Sequence, residues 1–198
     1  MILDPSLAAC APYVAPETLA SVIAVESRGR PLAINVNRGP RLAPAQSSAE
    51  ASAVAREWIA RGYSVDLGLM QVNSRNLARL GYTVEQMFEP CTNVAAGATI
   101  LASNYIEAAK RKGPGQQALL DALSAYNTGS FSRGYSNGYI SRYFDLTGSI
   151  IRIRPSVGAA ISHAPNPYTA ELSVYSRKDE NAGPGTQPDQ PTQPRTLD

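Results

Sequence analysis

The sequence predicts a mainly α-helical domain with a small irregular or β element, followed by an extended or disordered C-terminal tail. Apolar residues recur at helical spacing in several segments, and they alternate with polar residues through residues 63–69. Pro, Gly and Gln dominate the end of the chain. With 198 residues, 43% of them hydrophobic, the chain is long enough for one core plus an appendage. We therefore expect a domain over residues 1–148 and a tail over residues 149–198.

The composition argues against several classes of function. The formal net charge is only +2, and no run of Lys and Arg is interleaved with aromatic residues, so we expect no nucleic-acid partner. No apolar run approaches the roughly 20 residues that span a bilayer, so we expect no membrane span. The opening Met1-Ile-Leu is too short for the core of a secretory signal. An exported chain would need a signal removed from this sequence, or another route.

The first two predicted helices are marked by their prolines. Asp4-Pro5 is typical of a helix start, and Pro12 should stop that short helix. A second helix should begin near Pro16, because Leu19, Val22 and Ile23 then form one apolar stripe. Gly29 and Pro31 should end it.

Glu26 completes the apolar stripe of this second helix. A carboxyl group in a desolvated position has a raised pKa, because burial disfavours its charged form. Such an acid stays protonated near neutral pH. The alternative is a structural ion pair with a neighbouring Arg28 or Arg30.

The middle of the chain should supply the irregular element. Residues 33–45 have no period and predict a loop or weak strands, whereas the capping-box pattern of residues 47–50 opens a helix that ends at Gly62, with Trp58 in the core. Residues 63–69 alternate as in a short strand, and Gly68 should mark a bend or a close approach.

Two amides follow that segment. In an extended chain Gln71 and Asn73 would project to the same side and could bind one ligand. The alternative is turn chemistry, in which Asn73 or Ser74 caps the short helix that Gly81 ends.

Three further helical patterns complete the predicted core. A second capping box at residues 83–86 leads to a brief turn that ends at Pro90. Asn93 should open the clearest helix of the sequence, which ends at Gly113, and another should run from about Gly115 to residues 127–129. Residues 138–144 should form the last core helix. Beyond it, alternating Ile and Arg at residues 151–153 are compatible with one strand or an extended arm.

The sequence favours a disulfide between its two cysteines, Cys10 and Cys91. Each lies beside a predicted helix boundary, and a disulfide there would indicate an oxidising compartment. Two unrelated buried thiols are the alternative. Neither cysteine has a second ligand nearby, and the single histidine, His163, has no acidic or nucleophilic neighbour, so we expect no metal site and no cofactor.

The order of the short motifs is more informative than any one of them. Glu26-Ser27 ends one helix, Gly68-Leu-Met-Gln71 with Asn73 lies in the middle, residues 125–129 (Ala-Tyr-Asn-Thr-Gly) end another helix, and Tyr139 comes late. Together they resemble the lysozyme-like lytic transglycosylases related to goose-type lysozyme. The long gap between the first two motifs, and the Phe-Glu-Pro-Cys turn at residues 88–91, resemble the branch that serves type IV secretion and conjugation machines.

This resemblance implies a periplasmic enzyme that cleaves the β-1,4 bond between N-acetylmuramic acid and N-acetylglucosamine in peptidoglycan. Glu26 matches the family's single catalytic acid, which protonates the glycosidic oxygen and then acts as a base while the sugar's C6 hydroxyl closes a 1,6-anhydro ring. Implied partners are peptidoglycan strands and subunits of the secretion or conjugation machine. The residues that would bind substrate or orient the acid are Ser27, Gln71, Asn73, Tyr126, Asn127 and Tyr139.

Two other functions stay open. If Asp66 entered the cleft as a second carboxylate, the chain could be a hydrolytic muramidase, although an Asp at this point is more typical of a turn. The chain could also be a peptidoglycan-binding assembly factor with incidental activity. The alternative for Ser27 is a structural role, in which its hydroxyl forms hydrogen bonds with backbone groups at the end of a helix.

Overall fold

The structure is a computed structural model that describes the backbone of residues 3–147 and the side chains of residues 3–144. The predicted tail, residues 149–198, lies outside the described residues, as do its alternating isoleucines and His163. The helices are α1 (Pro5–Ala9), α2 (Pro16–Glu26), α3 (Ser48–Ala60), α4 (Leu77–Leu80), α5 (Pro90–Lys112), α6 (Gln116–Thr128), α7 (Arg133–Ser136) and α8 (Ser141–Thr147). The strands are β1 (Ile34–Val36), β2 (Val65–Leu67) and β3 (Val72–Asn73).

The long helices α5 and α6 pack together and form the centre of the core. Their inward stripes are apolar, and the buried residues of α6 include Leu119, Ala122, Leu123 and Tyr126. Gly97 of α5 is needed for close packing, since a Cβ atom there would lie 2.7 Å from the Met70 side chain and 2.9 Å from the Tyr126 hydroxyl oxygen. The absence of a side chain at Gly97 therefore lets the turn around Met70 approach the helix pair.

A small antiparallel sheet lies beside the helices, in the order β1-β2-β3. Asn35 faces Asp66 across the first strand pair, and Asp66 faces Asn73 across the second. Because directly opposed residues on one face of a sheet are close neighbours, this register brings one acid and two amides together. The predicted mainly helical class with a small β element is confirmed.

The structure corrects the start of α5, which we expected at Asn93. The helix begins at Pro90, where a first-turn proline loses no hydrogen bond. Asn93 instead lies buried inside the helix. Its amide donates to the carbonyl oxygens of Leu67 and Met87, at 2.8 and 2.9 Å, and its Oδ1 accepts from the Met70 amide at 2.8 Å. Asn93 thus ties α5 to the end of β2 and the turn that follows.

Three other local predictions were wrong. Trp58 is only half-buried and packs edge-on against Tyr63, because α3 lies at the margin of the core. The last core helix starts at Ser141, not Gly138, so Tyr139 belongs to the turn before α8. Phe144 of that helix, expected in the core, is 39% exposed. The one-turn helix α7 was not predicted.

The disulfide between Cys10 and Cys91 is confirmed. It joins the C-terminal end of α1 to the first turn of α5, across a sequence separation of 81 residues. Such a long-range link restricts the unfolded chain strongly in the chain-entropy view of disulfide stabilisation. In the described part of the chain no helix is long and apolar enough to cross a membrane.

Candidate active site

Glu26 is the last residue of α2 and lines an open cleft of about 1280 Å³. The preceding turns of α2 bury Leu19, Val22 and Ile23, as the apolar stripe predicts. The helix therefore delivers a partly buried carboxyl group to the floor of the cleft. The predicted site residues Gln71, Asn73 and Asn127 also line the cleft, and so does Asp66, the possible second carboxylate.

Burial raises the pKa of Glu26 from its ordinary value of 4.5 to about 7. Desolvation is the largest cause, the charge of Asp66 adds to it, and a hydrogen bond from Tyr139 and the charge of Arg142 oppose it. No ion pair joins Glu26 to Arg28 or Arg30 among the described residues, so the structural ion pair is not observed. Near neutral pH Glu26 thus exchanges its proton readily.

The Tyr139 hydroxyl donates a hydrogen bond to Glu26 Oε1, a contact that the family resemblance implies. A second phenol, Tyr143, lies 2.7 Å from the Tyr139 hydroxyl, and both side chains are almost completely buried. Desolvation raises the pKa of both phenols well above the ordinary value, so both remain neutral donors. The two hydroxyls hydrogen-bond each other, and either one can be the donor. This chain of hydroxyls fixes the orientation of the acid.

Asp66 lies on β2 and lines the cleft, so its expected role in a turn was wrong. Its two oxygens accept from the amides of Asn35 at 3.0 Å, Asn37 at 2.9 Å and Asn73 at 2.6 Å. Burial nevertheless raises the pKa of Asp66, while the three amides oppose the rise. A carboxyl group that accepts hydrogen bonds from several amides favours its ionised form, because hydrogen bonds to a negatively charged acceptor are stronger.

Gln71 and Asn73 both line the cleft, but not through an extended chain. Gln71 has φ +50°, a left-handed backbone conformation, because it belongs to the tight turn between β2 and β3. Its side-chain amide donates to the carbonyl oxygens of Gly68, at 2.9 Å, and Ala33, at 3.2 Å. Asn73 also caps the following 3₁₀ turn, since its Oδ1 accepts from the Arg75 amide at 3.0 Å.

The remaining predicted site residues take three different positions. The Tyr126 hydroxyl donates to the main-chain oxygen of Met70 at 2.7 Å and so holds the turn that carries Gln71. Asn127 is exposed at the cleft rim. Ser27 is fully buried and its hydroxyl donates to the Ile23 carbonyl oxygen at 3.2 Å, which matches its structural alternative.

Sequence reasoning missed four contributors to this site. Asn35 lies on β1 and Asn37 directly follows that strand, a spacing that signals two amides on one face, but their acidic partner is distant in sequence. Tyr143 follows Tyr139 by one helical turn and could have been found by that spacing. Arg142 lines the cleft beside them. The described residues contain no group of three or more His, Cys, Asp and Glu side chains that could hold a metal ion.

A helical domain with one readily protonated carboxyl group in a cleft lined by amides is the arrangement of the lysozyme-like class. The chain belongs to the Transglycosylase SLT domain family, whose sequence model matches residues 6–139. The family resemblance seen in the short motifs is thereby confirmed.

Three relatives illustrate the similarity. Protein virB1 of Agrobacterium fabrum (strain C58 / ATCC 33970) is 41% identical over 133 residues, which are 67% of this chain and 54% of that protein. The type IV secretion system protein virB1 of Brucella suis biovar 1 (strain 1330) is 37% identical over 157 residues, 75% of this chain and 66% of that protein. Its counterpart in Brucella abortus biovar 1 (strain 9-941) is 41% identical over 168 residues, 77% of this chain and 71% of that protein.

The chain therefore spans just over half of the length of the first of these relatives. No solved structure matches the chain.

Proposed function

We propose that the chain is a peptidoglycan lytic transglycosylase that cleaves the β-1,4 bond between N-acetylmuramic acid and N-acetylglucosamine. The observation that carries this proposal is Glu26: a carboxyl group with a pKa of about 7, oriented by Tyr139, on the floor of an open cleft. A general acid works best when its pKa lies near the working pH, because it must carry the proton and also release it. Membership of the transglycosylase family supports the assignment.

In the first step, protonated Glu26 donates its proton to the glycosidic oxygen. The bond between that oxygen and C1 of N-acetylmuramic acid breaks, and the N-acetylglucosamine side leaves as an alcohol. C1 becomes positively charged while Glu26 becomes an anion. Asp66 lies in the same cleft and adds a second negative charge, which favours a cationic transition state over the neutral ground state.

In the second step, ionised Glu26 takes the proton of the C6 hydroxyl of the same sugar. The C6 oxygen bonds to C1 and closes the 1,6-anhydro ring, so Glu26 is protonated again and no water is consumed. An intramolecular nucleophile avoids the entropy cost of recruiting a second reactant, an advantage that reaches roughly 7–11 kcal/mol in model reactions. One carboxyl group therefore serves as acid and then as base.

The other cleft residues have supporting roles in this proposal. Gln71 and Asn73 can accept from glycan hydroxyls through their side-chain oxygens, because their amide hydrogens are engaged within the protein, whereas the exposed Asn127 can also donate to an N-acetyl group. Tyr126 holds the Met70 turn and thereby positions Gln71. Ser27 stabilises the end of α2 directly behind the acid.

We further propose that the enzyme acts in the periplasm and opens the cell wall locally for a type IV secretion or conjugation apparatus. The names of the Brucella relatives support this role. The disulfide supports an oxidising compartment, where peptidoglycan also lies. The proposed enzymatic domain is residues 1–148, and the family match falls within these bounds.

A hydrolytic muramidase is the second candidate, because Asp66 does line the cleft together with Glu26. A second carboxylate is what ordinary glycosidases use, either as a nucleophile or to activate water. The three amides on Asp66 argue against that role, since each amide bond makes its oxygens less available to a water molecule or to C1.

Mass spectrometry of digested peptidoglycan separates the candidates. Products that end in 1,6-anhydro-N-acetylmuramic acid support the proposal, and reducing ends support hydrolysis. The Glu26→Gln variant keeps the side-chain shape and removes the acid. Full cleavage by that variant would overturn the catalytic assignment and leave a peptidoglycan-binding assembly factor as the better account.

A further inference from the structure

The cleft is lined by more positively charged side chains than the small net charge of the chain would suggest. Four arginines line it, Arg28, Arg30, Arg41 and Arg142, against two acids, Glu26 and Asp66. Glu26 is about half ionised at pH 7 and becomes mostly uncharged below it, because its pKa is about 7. The formal net charge of the whole chain is only +2, so the cleft gathers cationic side chains locally.

These arginines differ in what already engages them. Arg142 lies over the Tyr139 ring, and its charge lowers the pKa of Glu26, so it belongs to the surroundings of the acid. The Nε of Arg30 donates to the Ser27 carbonyl oxygen at 3.0 Å. Arg28 and Arg41 are exposed and form no ion pair with any described residue.

The backbone holds these two arginines in fixed loops. Arg28 has φ +56°, a left-handed conformation that glycine adopts more cheaply, and it follows Glu26 by only two residues. Arg41 lies between Pro40 and Pro44, whose rings restrict the loop that forms another part of the cleft lining. A side chain kept at a strained position is a reason to look for a role in binding.

The chemistry of peptidoglycan identifies an anion that would meet these side chains. The sugars carry uncharged hydroxyl and N-acetyl groups. The negative charges are the carboxylates of the short peptide that is attached to C3 of N-acetylmuramic acid. That sugar is the one whose C1 reacts at Glu26, so its peptide leaves the cleft within one ring of the acid. Arginine is well suited to such a partner, because its planar guanidinium binds a carboxylate through two parallel hydrogen bonds.

We propose that Arg28 and Arg41 bind the carboxylates of this stem peptide, so that the enzyme prefers glycan strands with charged peptides. This inference rests on the proposed function and adds a specificity to it. Arg30 contributes charge to the same side. The contacts lie at an exposed rim, so each arginine should change the KM by about two- to five-fold, the range that exposed ion pairs reach.

The test compares two substrates that differ only in charge. Soluble, uncross-linked strands with intact stem peptides are used as prepared, or after their carboxylates have been converted to amides with carbodiimide and ammonia. The wild-type enzyme should show a lower KM for the charged strands and a similar kcat for both. The preference should shrink as sodium chloride is added, because salt screens exposed charges.

Variants locate the effect. Arg28→Gln and Arg41→Gln should each raise the KM for charged strands and leave the KM for amidated strands unchanged, and the lysine variants should recover part of the preference. Arg111→Gln is the matched control, since Arg111 lies at the end of α5, pairs with Glu107 and does not line the cleft.

Two results would overturn the inference. The first is a wild-type enzyme that does not distinguish charged from amidated strands at low salt. The second is a pair of glutamine variants that raise the KM for both substrates equally, which would mean contacts to the glycan or a purely structural role. If either result were found but both charged and amidated strands still gave anhydro products, the proposed function would stand. If neither substrate gave anhydro products, the proposed function itself would be contradicted.

Discussion

Replacing Glu26 by glutamine should stabilise the folded chain above neutral pH while it removes the proposed acid. The folded-state pKa of about 7 exceeds the ordinary value of 4.5. Below pH 4.5 both the folded and the unfolded chain hold the proton, so Glu26 costs no stability there. As the pH rises towards 7 the unfolded chain releases the proton first, which favours unfolding.

The size of this effect follows from the two pKa values. Ionising Glu26 in the folded chain costs about 3 kcal/mol more than in the unfolded chain, since each pH unit between the two values corresponds to about 1.4 kcal/mol. Glutamine cannot ionise, and its side-chain oxygen can still accept from Tyr139. The stability gain of the variant over the wild type should therefore grow between pH 4.5 and 7 and reach a few kcal/mol at pH 8.

Urea unfolding of both proteins across this pH range measures the effect, with peptidoglycan digestion run on the same samples. Glu17→Gln is the control, because Glu17 is exposed on the first turn of the same helix. That variant should show no gain that grows in this way. A stability difference between Glu26→Gln and the wild type that is independent of pH would refute the buried, proton-exchanging carboxyl group.

Three further substitutions test the surroundings of the acid. Tyr139→Phe removes a hydrogen bond that lowers the pKa of Glu26, so the alkaline limb of the pH–rate profile should move upward by about one to two pH units and kcat should fall. Asp66→Asn removes a charge that raises the same pKa, so the alkaline limb should move to lower pH. Gly68→Ala places a Cβ atom against the Asn93 side chain at φ +72° and should destabilise the fold by about 2–3 kcal/mol in urea unfolding.

The first two substitutions control for each other, because they move one pKa in opposite directions. If both variants shifted the alkaline limb the same way, the limb would not report Glu26. For the third, Gly62→Ala is the matched comparison, because this glycine also has a positive φ but nothing lies within 4 Å of a Cβ atom there. Equal destabilisation by the two changes would mean that backbone conformation, and not the contact with Asn93, decides the cost.

Short-range patterns in the sequence predicted most of the fold. The stripe of α2 is regular because its period is set by the helix itself, and it led directly to Glu26. The second capping box was also predicted, and Thr83 and Gln86 do bond each other's backbone amides, at 2.8 and 3.4 Å. These features depend on residues a few positions apart, which a single sequence displays.

Features that depend on distant residues were harder to predict. The hydrogen bonds around Asp66 join three strands. The side-chain amides of Asn35 and Asn37 that donate to Asp66 therefore come from residues about thirty positions away from the acid. Asn93 was interpreted as a helix start because asparagine is common there, but contacts with Leu67 and Met87 bury it inside α5. In both cases long-range hydrogen bonding overrode the local preference.

The identity of the sugar product tests the central claim most directly. Digestion of peptidoglycan in heavy-oxygen water, followed by mass spectrometry, should give 1,6-anhydro-N-acetylmuramic acid ends without heavy oxygen, because the C6 hydroxyl of the sugar closes the ring. The same products should be absent with Glu26→Gln. Reducing ends that carry heavy oxygen would contradict the account, since they would show that water, and not the substrate, is the nucleophile.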